Sequence, residues 1–347
     1  MKILVSALEH SANVHLKSLK KELGEDVEFI GIFDKRLGKP MVDLQSLAIM
    51  GIVDALKKLR FFFKLADDML ELAKDADKVL LIDSSGFNLP LAKKLKKKYP
   101  HKEIIYYILP QAWAWKKKRI PVLAKTIDKL ASILPFEPSY YPSNANIQYV
   151  GHPLLDQITE FKTKLSSEIK DVVFMPGSRK SEIKRLMPIF KGVIKKLELN
   201  ATFIIPKHFS QEEIVELYGD TREYKISYDA HKSLYEADFA FICSGTATLE
   251  AAIIGIPFIL SYKAKALDYF IGSRVVKIEF VGLSNIMLKK YKNIQLHPEY
   301  LQDEVTVENL VEGFKNYKRD KFLENSKILR EYLSHGSSAK VAELIKS

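Results

Sequence analysis

Phe174-Met175-Pro176-Gly177-Ser178-Arg179-Lys180-Ser181-Glu182 is the stretch that decides the fold. A short apolar run over 171–175 ends in Gly177, and a longer segment with apolar residues at helical spacing follows. The reading is strand, tight loop, helix. The same handover recurs at Leu80-Leu81-Ile82-Asp83-Ser84-Ser85-Gly86-Phe87-Asn88 and after Cys243, at Ser244-Gly245-Thr246-Ala247-Thr248-Leu249-Glu250. Outward from these points, short apolar runs alternate with longer periodic ones, the pattern of a parallel sheet covered by helices. Strands are expected near 2–6, 27–33, 78–83, 103–109 and 130–134, with helices near 11–23, 47–73, 88–99 and 116–126. A second series follows Gly151-His152-Pro153. Its strands fall near 171–175, 201–205, 223–227, 238–243 and 257–262, and its helices near 180–197, 211–218, 230–236, 246–254 and 265–275. The remaining segment, about 304 to 346, reads as helices, and the proline-bearing stretch 135–164 is the linker candidate.

The fold class is therefore α/β, with two Rossmann-like, doubly wound parallel-sheet domains facing each other across a cleft. The length of 347 residues, at about 150 residues per domain, agrees. Residues 1–153 form the first domain and 154–319 the second. The helices from about 320 to 347 either pack back on the first domain or exchange with a partner chain. Ligands of such sheets sit outside the carboxyl ends of the strands, so the loops after strands are the places to look for chemistry.

Hydrophobic residues are 47% and charged residues 28% of the chain, which excludes disordered and fibrous classes. The net charge of +11 is uneven. Residues 1–150 carry 25 basic and 17 acidic side chains, a net of +8, whereas 151–347 carry 29 and 26, a net of +3. A positive half-molecule suits nucleic acid, an anionic bilayer or a phosphorylated substrate, and equally a lysine-solvated surface. A single cysteine, Cys243, excludes an internal disulfide and a cysteine zinc cluster, and fits a reducing cytoplasm. The N-terminus runs straight into a strand without the features of a signal peptide. The long apolar, uncharged runs 104–115 and 251–262 are 12 residues each, against about 20 needed to span a bilayer.

Three loops carry candidate chemistry. At 176–182, Gly177 allows close backbone approach, the following helix presents free N–H groups and Arg179 adds a cation, which together suit a phosphate; a Ser-capped helix is the plain alternative. At 244–250, small and hydroxyl residues open a helix that can bind a diphosphate, and Glu250 one turn on can accept from two ribose hydroxyls. Its alternative is a capping arrangement in which Glu250 balances the helix dipole. In the first domain, Asp83 at the end of a buried strand is a candidate general base, with Asn88 placed to cap the helix after it. Glu9-His10-Ser11-Ala12-Asn13 forms a polar cluster on the same edge. Asp75-Ala76-Asp77 precedes a strand and lies on the opposite edge, and the histidines have no metal-ligand spacing.

The segment 48–73 holds more apolar residues (Met50, Val53, Leu56, Leu59, Phe61, Phe62 and Phe63 among them) than one buried stripe needs, with Lys57, Lys58, Arg60 and Lys64 interleaved. That suits an interfacial membrane helix or a hydrophobic substrate groove; burial between domains is the alternative. Trp113-Ala114-Trp115-Lys116-Lys117-Lys118-Arg119 repeats aromatics beside cations. No recognised nucleic-acid module accompanies them.

These residues carry a resemblance. The segments 47–53, Ile82-Asp83 with Phe87-Asn88, Pro110-Gln111-Ala112-Trp113-Ala114-Trp115 with Lys118-Arg119, Leu134-Pro135-Phe136-Glu137, Val150-Gly151-His152-Pro153, Pro176-Gly177-Ser178-Arg179, 244–250 and Leu283-Ser284-Asn285 run in family order, from about residue 3 to 302. Together the chain resembles the lipid-A-disaccharide synthases, glycosyltransferases of the GT-B fold. Two departures stand out: the family's Gly-Glu-Ala-Ser-Gly-Asp is here Glu9-His10-Ser11-Ala12-Asn13, and its Leu-Pro-Asn is Leu283-Ser284-Asn285.

The resemblance implies inverting transfer of 2,3-diacylglucosamine from its UDP derivative to the 6-hydroxyl of 2,3-diacylglucosamine 1-phosphate. The products are a β-1′,6-linked disaccharide and UDP, and no metal or cofactor is called for. Asp83 then activates the acceptor hydroxyl and Arg179 stabilises the leaving diphosphate. Glu9, Ser11, Asn13, Met50, Ser178, Ser244, Gly245, Thr246, Glu250 and Asn285 contact the substrates. Val53, Leu56, Leu59 and Phe61 to Phe63 meet acyl chains or the membrane. The implied setting is the cytoplasmic face of an anionic inner membrane, with a homodimer left open and no nucleic-acid partner. A sugar 2-epimerase or a transferase with a polyprenyl-linked acceptor would share the nucleotide loops but has no need of 48–53 and 110–119. A binding protein without catalysis leaves those loops and Asp83 unexplained.

Overall fold

The computed structural model describes residues 1–43, 55–263 and 279–347. The chain folds into two compact units, Met1–Asp156 together with Leu333–Ser347, and Gln157–Tyr332. The first unit contains β1 (Lys2–Ser6), β2 (Glu28–Phe33), β3 (Val42–Asp43), β4 (Lys78–Ile82), β5 (Glu103–Tyr107), β6 (Lys129–Ser132) and β7 (Ile147–Tyr149), in the order β3-β2-β1-β4-β5-β6-β7. Every pairing is parallel. The central strands are apolar without a break because both sheet faces are covered. Ile3 and Val5 enter the core on one face and Leu4 the core on the other, as the two-residue strand period demands.

The second unit contains β8 (Asp171–Met175), β9 (Asn200–Ile204), β10 (Lys225–Ser227), β11 (Phe239–Cys243), β12 (Phe258–Tyr262) and β13 (Glu299–Leu301), in the order β10-β9-β8-β11-β12-β13, again all parallel. Its core is aromatic. Phe174 of β8 stacks on Phe241 of β11 at 5.1 Å and packs on Phe190 at 5.4 Å. Phe190 belongs to the helix Lys180–Leu197, whose Ile183, Leu186, Met187, Phe190, Val193 and Ile194 repeat at helical spacing and are buried. Burying a side chain such as Phe174 completely contributes roughly 2–3 kcal/mol.

In each sheet, chain order reverses at one place: between β1 and β4 in the first, and between β8 and β11 in the second. At such a switch point the loops leave the sheet in opposite directions and open a crevice at its carboxyl edge. The loops singled out from the sequence, after β1, β4, β8 and β11, are the four that flank these two points.

The chain returns to the first unit only at its end. The helix Ser337–Lys346 packs on the helix His10–Leu23 and places Val341, Ala342 and Ile345 in the first core. Lys78 Nζ donates to Ile345 O at 2.6 Å, Lys129 Nζ to Leu344 O at 2.9 Å, and the hydroxyls of Tyr107 and Ser337 lie 2.8 Å apart. The return starts at Leu333, later than the expected 320, because Phe322 packs on Phe258 and Tyr317 on Phe239 inside the second unit. The expected helix at 265–275 and the part of 47–73 before Ala55 lie outside the described residues; Ala55–Leu72 is helical. Among the described residues no helix is long and apolar enough to cross a membrane.

Candidate functional site

At the first switch point the chain after β4 makes a strained turn. Asp83 and Ser84 have φ of 51° and 43°, left-handed values for two residues with side chains, each at a cost of about 1–3 kcal/mol that surrounding contacts must offset. Those contacts are specific. Buried Asn88 donates to Ile82 O at 3.1 Å and Asp83 O at 2.8 Å, and its own oxygen accepts from Ser6 Oγ at 2.6 Å. Tyr106 OH donates to Asp83 O at 2.6 Å, and Asp83 N donates to Tyr107 O at 3.1 Å. The turn starts the helix Ser85–Lys98 three residues ahead of Asn88, so Asn88 is not a cap; it pins the turn from inside the helix.

The Asp83 carboxylate is thereby held half-buried at the sheet edge, accepting from Ser84 N at 2.8 Å. Burial, and then the neighbouring Glu9, push its pKa above the usual aspartate value, which strengthens it as a base. Glu9 arrives from the loop after β1, is exposed, and accepts from Ser84 Oγ at 2.9 Å. Arg119 Nη1 donates to Ser85 Oγ at 3.3 Å, adding a cation to this edge. Ser11 is exposed on the first turn of the helix His10–Leu23. Met50 and Val53 lie outside the described residues.

Asn13 is a different case from a substrate contact. It is 5% exposed, donates to Ala7 O and Glu9 O, both at 2.8 Å, and accepts from Asp34 N at 2.7 Å. Its amide shapes the Glu9 loop. An ionised aspartate could not make the two donations.

At the second switch point Gly177 is required twice over. Its φ is +115°, and a Cβ there would lie 2.7 Å from Glu182 Oε2, 2.9 Å from Glu182 Cβ and 3.3 Å from Cys243 Sγ. The helix Lys180–Leu197 is capped at Arg179 and not by the exposed Ser178. Arg179 Nη1 donates to Glu182 Oε1 at 2.9 Å and its backbone N donates to Glu182 Oε2 at 3.3 Å. The Arg179 side chain remains 77% exposed. Cys243 is buried, and burial pushes its thiol up to about 12, so it stays protonated.

Across this switch point, Gly245 (φ +143°, with open space where a Cβ would stand) precedes the helix Thr246–Ile254, which no side chain caps among the described residues. Its first N–H groups, beside half-buried Ser244 and exposed Thr246, are therefore available to an anion. Glu250 is half-buried one turn in, 3.6 Å from His231 Nε2; this contact holds His231 above the usual histidine pKa. Asn285 is bound on all sides by protein groups. It is fully buried, donates to His297 O at 2.9 Å and Glu299 Oε1 at 2.7 Å, and accepts from Leu296 N at 2.8 Å and His297 N at 3.2 Å. Every hydrogen-bonding group of its amide is used, so it stitches the helix Leu283–Lys292 to the approach of β13.

The apolar helix divides its aromatics. Phe61 and Phe62 are half-buried against the first core, with Phe62 5.8 Å from Phe87; Phe63 is 56% exposed under Lys94 Nζ at 5.9 Å. Of Leu56 and Leu59 only the helical backbone is described. Trp113 does not join them as an exposed aromatic: it is buried, 4.8 Å from Phe136. Beside Phe136 lies a group that residue types alone did not single out. Glu137 is 1% exposed, accepts from Ser132 Oγ at 2.6 Å, and burial lifts its pKa to about 8. Among the described residues its Oε1, the Trp113 indole nitrogen and the Tyr141 hydroxyl have no hydrogen-bond partner.

Comparison with known proteins bears on the family and the fold. A family model described as lipid-A-disaccharide synthetase matches residues 3–345. Lipid-A-disaccharide synthase of Helicobacter pylori (strain ATCC 700392 / 26695) is 49% identical over 353 residues, covering 98% of this chain and 96% of its own. Among solved structures, the Staphylococcus aureus MnaA-UDP complex superposes with a TM-score of 0.62 at 15% identity, covering 100% of this chain and 95% of its own. MurG of Acinetobacter baumannii does so with a TM-score of 0.58 at 15% identity, covering 99% of each chain. At that identity the likeness shows the fold, which is GT-B.

Proposed function

The chain belongs to the lipid-A-disaccharide synthase family, a glycosyltransferase of the GT-B fold, and from that premise we propose the reaction and the residues that carry it. The donor is UDP-2,3-diacylglucosamine and the acceptor 2,3-diacylglucosamine 1-phosphate. The acceptor's 6-hydroxyl oxygen forms a bond to the anomeric carbon as the bond to the UDP oxygen breaks, and the hydroxyl proton goes to a base. The products are the β-1′,6-linked tetraacyl disaccharide 1-phosphate and UDP.

One observation carries the assignment: Asp83, half-buried with a raised pKa, is held by a strained turn at the switch point of the first sheet. A carboxylate so placed is matched to receiving a hydroxyl proton. Glu9 and Ser11 on the adjoining loop orient the acceptor. In the second unit, Arg179 and the uncapped helix start at Ser244, Gly245 and Thr246 stabilise the charge that develops on the departing diphosphate. Ser178 lines the same loop, and Glu250 accepts from the ribose hydroxyls. Asn13 and Asn285 act at one remove, by holding the loops.

Both substrates are acylated, so the protein works at a lipid surface. Exposed Phe63 beside Lys94 supports peripheral docking on the anionic cytoplasmic face of the inner membrane. The deciding experiment incubates the protein with donor and acceptor separately and together. UDP released only when both are present supports the transfer; UDP released from donor alone, or isomerised donor, rejects it.

A further inference from the structure

Glu182 has no place in the chemistry described so far, yet it occupies the centre of the second switch point. It sits in the first turn of the helix Lys180–Leu197, and its side chain is 9% exposed. One carboxylate oxygen accepts from Arg179 Nη1 at 2.9 Å and the other from Arg179 N at 3.3 Å. It lies directly over Gly177, where a Cβ would meet it at 2.7 Å, and this packing extends to Cys243 at the end of β11. One carboxylate therefore holds the backbone and the cation of the loop after β8, and its charge reaches Cys243 at the end of the strand across the switch point.

A capping box accounts for the oxygen that accepts from Arg179 N, but not for the one that takes Arg179 Nη1. Helix starts favour Ser, Thr, Asp or Asn at the cap, and Ser178 stands one residue away, but Arg179 occupies the cap position. A buried carboxylate paired with a largely exposed arginine is a poor source of stability. It is a good way to hold a guanidinium still, because only part of the guanidinium's five N–H groups is engaged by Glu182 and the rest remain for a ligand. We propose that Glu182 is a positioning residue, fixing the Arg179 guanidinium over the 176–179 loop so that it meets the departing diphosphate without first being ordered.

This rests on the reading of Arg179 as the diphosphate cation, and the test separates the two. Wild type, Glu182→Gln, Arg179→Ala and the double variant are compared in turnover of the acylated substrates, in affinity for UDP and in thermal melting. Glutamine keeps the shape and the acceptor for Arg179 N but loses the charge. E182Q is expected to lower kcat by about tenfold or more, with the donor KM changed by less than about twofold and the fold intact. In the R179A background it should change kcat by less than about twofold, because two groups that act as a unit are not additive. A purely structural role would lower the melting temperature and cost the same in both backgrounds. Wild-type kcat in E182Q, or an equal loss in the R179A background, overturns the proposal. If R179A itself keeps full turnover, the reading of Arg179 fails; if R179A loses turnover while E182Q does not, only the positioning role fails. Should E182Q melt below the assay temperature, Glu182→Asp, which keeps the charge on a shorter stem, enters the same comparison.

Discussion

Ser84 Oγ donates to Glu9 Oε1 at 2.9 Å, tying the loop after β4 to the loop after β1 at the switch point of the first sheet. The bond keeps a second carboxylate near Asp83, whose raised pKa comes first from burial and next from Glu9. A base must be ionised, so turnover should fall as pH drops through the Asp83 pKa. Glu9→Gln keeps an acceptor for Ser84 and removes the charge. The acid limb of its kcat/KM profile should move to lower pH, and an unmoved limb would detach Glu9 from Asp83.

Asp83→Asn removes the base with little change in shape. Turnover should fall by about 10²–10⁴. The affinity for UDP, measured by titration calorimetry, should persist, because the loops assigned to UDP belong to the second unit. Retained turnover would take Asp83 out of the chemistry.

Gly177→Ala places a methyl group against Glu182 in a left-handed backbone conformation. The expected loss is about 1–3 kcal/mol of stability, read as a lower denaturant midpoint, together with weaker UDP binding. A midpoint equal to wild type would show that the loop adapts freely.

Glu137 gives a pH-dependent stability. Its pKa is about 8 in the folded chain, against roughly 4.3 when unfolded. The folded state therefore binds the proton more tightly; its contribution is complete below the unfolded value and is lost as pH rises toward 8. Wild type should melt at progressively lower temperature from pH 5 to 8, whereas Glu137→Gln should remove much of that slope, a difference on the order of a few kcal/mol by pH 8. Parallel melting curves across this range would contradict the raised pKa.

Phe62 and Phe63 are neighbours with different tasks. Phe63→Ser should reduce flotation with anionic liposomes and leave the melting temperature within about 2 °C, as surface substitutions do. Phe62→Ser, which removes the contact with Phe87, should lower the melting temperature by several degrees, on the order of 1–3 kcal/mol. Equal flotation in both variants and wild type would end the membrane role of this helix.

The middle of each sheet was readable because strands covered on both faces are apolar throughout and end abruptly in Gly, Ser or Asp. The switch-point loops followed from that reading. The short edge strands Val42–Asp43, Ile147–Tyr149 and Glu299–Leu301 were not, since two or three residues show no period. Asn13 and Asn285 illustrate a second limit. An amide that closes a loop and an amide that grips a sugar look alike in sequence, and only burial with every hydrogen bond used tells them apart. Trp113 shows a third, because adjacency to lysines along the chain says nothing about which side chain turns inward. Asn88 adds a fourth: the left-handed turn at Asp83 and Ser84, invisible in residue types, sets the helix start ahead of it.

The helix Ser337–Lys346 has a consequence for biosynthesis. Val341, Ala342 and Ile345 complete a core whose other members lie almost entirely within the first 150 residues. During translation that core stays uncovered on one flank while the whole intervening unit is made. The amino-terminal half cannot finish folding first, although it emerges first. Its apolar flank is closed by residues 337–346, which are made only after the intervening unit, so a nascent chain stopped before them should be a substrate for chaperones and proteases instead of a slightly weakened enzyme.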